Sequence, residues 1–171
     1  FRDNPFLKPE YIDYLNSLPD SLRRQWRDGN WDIPEGQYFT EWNHDQHVVK
    51  PFRIPAHWRR FRAYDHGREN PACCKWYALD ENGRLCVYRE LYLKGKDVNE
   101  IAQTINDWSE GEVYSYSVAD PSIFAKTGFV GPIGEQTLAE MFARRGVVFH
   151  PASNRRVDGW NILHQYLAWD D

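Results

Sequence analysis

An Asn-Gly pair, Asn82-Gly83, stands between two runs rich in aromatic and aliphatic residues, Ala72–Leu79 and Leu85–Leu93. Asn and Gly tolerate positive φ at little cost, so the pair predicts a tight hairpin of type I′ joining two antiparallel strands. A lone hairpin is marginal in water, so these strands must belong to a larger sheet covered by other elements. On the N-terminal side, Arg60–Tyr64 alternates and runs into Asp65-His66-Gly67, which predicts a further strand ending at an acid.

The pattern then changes period. Val98, Ile101, Ala102, Ile105 and Trp108 form one apolar stripe at helical spacing, with Asp97 placed to cap its start. Val113–Ala119 predicts a fourth strand that ends at Asp120-Pro121, and a loop carrying Gly128, Gly131 and Pro132 follows. Leu138, Met141 and Phe142 mark a second helix closed by Gly146, Val147–Phe149 a short fifth strand, and Trp160, Leu163, His164 and Leu167 a last helix. The order is β-β-β-α-β-α-β-α. Short right-handed helical crossovers make the later strands parallel to the first. The expected class is α/β, a mixed sheet with helices on both faces, and the order matches the ribonuclease H-like fold.

Residues 1–36 have a different character. Pro9 and Glu10 can open a helix carrying Tyr11, Tyr14, Leu15 and Leu18; Pro19 restarts the chain, and Leu22 and Trp26 precede Gly29. The stretch from Asp28 to Gly36 is rich in turn residues. The expected division is a helical linker over 1–36, excised from a longer chain because Phe1 is no initiator, and one domain over 37–171. No apolar run is long enough to span a bilayer. Cys73, Cys74 and Cys86 lie inside strand-like runs and form neither a disulfide framework nor a zinc pattern. The formal net charge of −4 argues against a dedicated nucleic-acid coat protein. It leaves room for a nuclease, whose metal-binding acids add negative charge.

The chemistry gathers at two strand ends. If the fourth strand lies beside the first, Asp65 and Asp120 emerge from the same edge, where open sheets collect their ligand-binding groups. Paired carboxylates repel unless a cation lies between them. Oxygen donors suit Mg²⁺ or Mn²⁺, and two such ions roughly 4 Å apart can hold the attacking and leaving oxygens of phosphodiester hydrolysis. Glu90, late in the third strand, and Asp158, at the start of the last helix, are candidates for a second shell or a third acid. Lys126, Arg155, Arg156 and His66 are candidates for phosphate contacts.

The sequence resembles the C-terminal part of the large terminase subunits of tailed phages along essentially all of its length. The resemblance rests on Asp3-Asn4-Pro5-Phe6-Leu7, Tyr11-Ile12 and Leu15, Gly29-Asn30-Trp31 and Gly36 in the linker, and on Arg62-Ala63-Tyr64-Asp65-His66-Gly67 at the first acid. It continues through Leu79-Asp80-Glu81-Asn82-Gly83 and Tyr88-Arg89-Glu90-Leu91-Tyr92 in the hairpin, Val118-Ala119-Asp120-Pro121-Ser122 at the second acid, and Asn154 to Leu167. It implies a metal-dependent endonuclease that cuts concatemeric double-stranded viral DNA during packaging in the host cytoplasm. Its implied partners are DNA, the small terminase subunit, the portal protein and an upstream ATPase domain of the same parent chain. No GxxxxGK[ST] phosphate loop is present, so this chain is not expected to hydrolyse ATP. The family's third acid usually lies in a later His/Asp-containing helix, expected beyond Asp171. Two alternatives remain at this point: a docking module for DNA or portal that cuts nothing, and another ribonuclease H-like nuclease of the resolvase or transposase type.

Overall fold

A computed structural model of the chain describes residues 9–17, 23, 27, 38–67, 69–131 and 134–168. The expected second linker helix, the turn-rich stretch after it, Leu18, Pro132 and the Asp170-Asp171 end lie outside them. The chain divides into two compact units, Phe1–Val48 with Leu167–Asp171, and Val49–Tyr166. In the first, helix α1 (Pro9–Ser17) buries Leu15. The one-turn helix α2 (His44–His47) is capped by Asn43, whose side chain accepts from the Asp45 amide at 2.9 Å.

The second unit is built on a five-stranded sheet of order β3-β2-β1-β4-β7. Strands β1 (Arg59–Asp65), β2 (Ala72–Leu79) and β3 (Leu85–Leu93) are antiparallel in sequence; β4 (Tyr116–Ala119) and β7 (His150–Pro151) run parallel to β1. This is the ribonuclease H-like arrangement. Helix α3 (Val98–Trp108) starts with a reciprocal capping box between Asp97 and Glu100 and buries Val98, Ile101, Ala102 and Ile105. With α4 (Leu138–Arg144) it covers the sheet face carrying Tyr64, Cys74, Trp76, Leu91 and Ala119, and these residues form the core. Helix α5 (Arg156–Leu167) lies on the other face. Its Gly159, Ile162, Leu163 and Tyr166 line a cavity of about 410 Å³ with Phe61, Tyr77 and Tyr116 of the sheet.

Four expectations are corrected. The β2–β3 turn has positive φ only at Gly83, at 81°, whereas type I′ needs it at both central residues. The loop is Glu81-Asn82-Gly83, closed by the Gly83 amide to Asp80 O at 3.2 Å and the Asp80 amide to Arg84 O at 3.0 Å, a type I turn followed by a glycine bulge. Asp80 selects that form because its carboxylate accepts from the Asn82 and Arg84 amides at 2.9 and 2.8 Å. Second, the expected loop after Asp120 contains a separate hairpin, β5 (Lys126–Gly131) with β6 (Gly134–Thr137), which the Gly-rich sequence conceals. Third, the last strand is His150–Pro151 and not Val147–Phe149. Gly146, at φ 82°, ends α4 in a Schellman motif, and the Val147 amide is spent on Phe142 O at 3.0 Å. Val147 and Phe149 are buried, but as core contacts ahead of the strand. Fourth, β4 begins only at Tyr116, and Val113, 85% exposed, lies ahead of it.

Candidate functional site

Strands β1 and β4 pair in parallel through Phe61–Tyr64 and Tyr116–Ala119, with Tyr64 opposite Ala119. The ladder runs one step further, since the Asp120 amide donates to Tyr64 O at 3.2 Å. Asp65 and Asp120 are therefore neighbours at the carboxyl ends of adjacent parallel strands. Alternation along each strand puts both on the face opposite Tyr64, away from the α3–α4 core. Asp65 is exposed and Asp120 half-buried.

Asp120 is held firmly. Its carboxylate accepts from the Ser122 amide at 2.8 Å and caps the 3₁₀ turn Pro121–Phe124. Hydrogen bonds from the Ser122 side chain and amide hold it below the usual carboxylate range, with a smaller contribution from the nearby Arg156 guanidinium. Ser122 closes the second acid motif, and Asp-Pro-Ser is a recognisable Asx-type turn signal for the bond it makes. Behind Asp65, the Tyr64 hydroxyl is hydrogen-bonded to His66 Nδ1 at 2.7 Å, and the His66 ring lies edge-on to Phe142. Burial lowers the His66 pKa against the opposing pull of Asp65, so the ring is neutral near pH 7. A neutral ring can hydrogen-bond but brings no positive charge to this edge.

The loop after Asp65 depends on Gly67. A Cβ there would lie 2.5 Å from Pro71 O and closer still to Asn70 O, both backbone atoms that cannot swing aside. Gly67→Ala is expected to cost about 1–3 kcal/mol through overpacking and to displace the residues flanking Asp65. Urea denaturation checks the first effect. An unchanged midpoint would mean that the loop moves freely.

The remaining candidates separate into groups. Glu90 is on the same sheet face as Asp65 but two strands away, and it is engaged by Lys75 Nζ at 3.2 Å and by the Cys73 thiol at 3.6 Å. Asp158 sits in the first turn of α5, not at its cap, and pairs with Arg155 at 2.7 Å. Lys126 on β5 faces Glu135 at 3.5 Å and is well exposed. Arg155 and Arg156 follow β7, whose carboxyl end lies at the same edge as those of β1 and β4; the Ala152 amide donates to Ala119 O at 2.8 Å there. Among the described residues no three His, Cys, Asp or Glu side chains converge on one point. The two neighbouring carboxylates supply a hard, anionic oxygen donor pair. That pair fits a divalent cation that keeps several waters.

No family model and no curated protein matches the sequence. The fold does match solved structures. The large terminase of a thermophilic bacteriophage, solved with ATP-gamma-S, aligns at a TM-score of 0.64 and 19% identity, covering 97% of this chain and 41% of that one. Another crystal form of that terminase gives 0.62 and 19%, covering 75% of this chain and 30% of that one. The nuclease domain of the P22 large terminase gives 0.59 and 14%, covering 75% of this chain and 66% of that one. The chain thus spans less than half the length of the whole large terminases it resembles, and what it shares with them at these identities is the fold.

Proposed function

We propose that this chain is a nuclease domain that cuts concatemeric double-stranded DNA during phage genome packaging, with divalent metal held by Asp65 and Asp120. The observation that carries the reading is the pair of carboxylates in register at the carboxyl ends of β1 and β4. The fold-level likeness to terminase nuclease domains favours cutting over mere docking. Mg²⁺ or Mn²⁺, when bound, would polarise a phosphodiester and make water a better nucleophile.

The chain's own residues position these parts. Ser122 fixes the Asp120 carboxylate so that it need not reorganise when charge arrives. Arg156, close enough to influence Asp120, brings a guanidinium to the phosphate. Arg155 and Lys126 lie where they could meet flanking phosphates, and His66 offers a neutral contact. The small terminase subunit, the portal protein and an ATPase domain in a longer parent chain are the partners in this reading. The near-complete alignment with a large terminase supports the last of these.

The test is nicking of supercoiled plasmid. The chain should convert it to the open-circular form with Mn²⁺ or Mg²⁺ and leave it intact in EDTA. Nicking that persists in EDTA would rule out metal chemistry at these acids. Metal-insensitive DNA binding with no nicking would favour the docking module.

Binding itself should be weak and indifferent to sequence. The net charge is −4, so attraction must come from the local cations at this edge. Each phosphate contact contributes about 0.9 to the log–log dependence of affinity on salt. Lys126→Ala, or Arg155→Ala with Arg156→Ala, should lower that slope without changing sequence preference, as measured by fluorescence anisotropy from low to moderate salt. An unchanged slope in both variants would place the DNA elsewhere.

A further inference from the structure

Away from the two carboxylates the second unit has a cavity of about 620 Å³, in the size range of small-ligand sites. It lies beyond the C-terminal end of α3, at the opposite end of β1. Arg60 and Asp65 are five residues apart on that strand, roughly 17 Å, and alternation puts their side chains on opposite faces. The walls come from three places: Phe52–Ala56 ahead of β1, Arg60 on β1 with Tyr88 and Arg89 on β3, and Gly111-Glu112 after α3.

The cavity holds more positive than negative charge. Arg53, Arg60 and Arg89 face one acid, Glu112, and that acid is committed. A bulge in β3, where the register to β2 shifts between Trp76 and Tyr77, turns Tyr88 and Arg89 toward the same carboxylate. Arg89 grips it with two bonds of 3.2 Å, Tyr88 donates to it at 2.9 Å, and Tyr114 donates as well. Burial pushes Glu112 upward, but the hydrogen bonds from Tyr114, Arg89 and Tyr88 outweigh it and keep the group ionised. The other two arginines therefore remain uncompensated. Arg60 donates through Nη2 to Ile54 O and Pro55 O at 3.2 and 3.3 Å, while its Nε is buried and has no partner among the described residues. That Nε is enclosed by protein and out of a ligand's reach, so Arg60 meets the cavity through the rest of its guanidinium group. Arg53 is exposed, and no partner for it is found among the described residues.

We propose that this cavity is a binding site for a small phosphate-bearing ligand with a flat ring, of the nucleoside diphosphate type. Arg53 and Arg60 line the cavity and its one acid is already engaged by Arg89, so a phosphate there would supply the missing counter-charge, and guanidinium groups suit its geometry. Phe52, about half exposed, offers a ring face beside them. The site uses neither Asp65 nor Asp120.

Calorimetric titration of the chain with ADP and with pyrophosphate, both in EDTA, tests this without metal-bridged binding at the carboxylate edge. ADP should bind, pyrophosphate should bind more weakly, and Asp65→Asn should leave both unchanged. Arg53→Ala, a substitution at an exposed side chain, should weaken ADP at least tenfold, and Arg60→Lys should do the same while keeping the charge. No heat with either ligand would overturn the proposal, as would undiminished binding in Arg53→Ala. Equal loss on Arg155→Ala with Arg156→Ala would also overturn it, by moving the anion to the DNA-facing edge.

Discussion

Asp65→Asn and Asp120→Asn should each lower the metal-dependent nicking rate by at least about a hundredfold, while the chain stays folded. Outer-shell groups around a metal site are commonly worth about 10–100-fold in affinity or activity, and a direct carboxylate ligand should exceed them. The substitution keeps the shape of the side chain and deletes the charge that offsets the cation. It is also structurally mild at both positions. Asp65 is exposed at the strand end, and an Asn at 120 keeps an oxygen to accept from the Ser122 amide that caps the 3₁₀ turn. Circular dichroism and urea midpoints should therefore stay close to the parent, which separates lost chemistry from lost fold. Titration with Mn²⁺, followed by electron paramagnetic resonance, should show weakened binding in both variants. If either variant nicks at the parent rate, the acids that hold metal lie elsewhere and the functional reading fails with them.

The legibility of this chain follows the range of the interactions involved. Strands Ala72–Leu79 and Leu85–Leu93 and helix Val98–Trp108 coincide with expectation because local terms decide them: a turn signal, a period of two or 3.6, and an Asp97–Glu100 cap. The crossover makes β4 parallel to β1, but only the observed β1–β4 pairing brings Asp65 and Asp120 to one edge. What sequence concealed depends on competing partners. Val147 looks like strand, yet its amide is already used to close α4. Asn82-Gly83 looks like type I′, yet Asp80 collects two turn amides and shifts the geometry by one residue. Glu90 sits in the expected strand, but Lys75 and Cys73 occupy it, a cross-strand pairing that needs the register to be known. The buried Arg62, bonded to Ser117 and Ser109 and stacked over Tyr114, gives no sequence signal of its own.

Phe142→Ala should destabilise the domain by about 3–5 kcal/mol, the range for removing a buried Phe side chain. Phe142 is fully buried at the point where α4 meets the sheet. Its ring lies 5.0 Å from Tyr64 and 5.4 Å from Phe149, both edge-on, and Tyr64 in turn stacks on Phe149 at 5.2 Å. Truncation removes contact from both neighbouring rings, Tyr64 and Phe149, and leaves a cavity that rigid aromatic neighbours cannot readily fill. Small domains are stable by only about 5–15 kcal/mol, so the variant should be close to unfolding at 37 °C. Its urea midpoint should fall sharply with the slope unchanged. Val113→Ala, at a residue 85% exposed, is the control and should stay within about 0.5 kcal/mol. The loss should also reach the site, because Tyr64 precedes Asp65 on β1 and accepts through its carbonyl the bond from the Asp120 amide. In Phe142→Ala, hydrogen exchange at the Asp120 amide should therefore quicken under conditions where the chain is still folded. A loss below about 1 kcal/mol, with that amide still protected, would mean that the strand end carrying Asp65 is held by contacts other than this aromatic cluster.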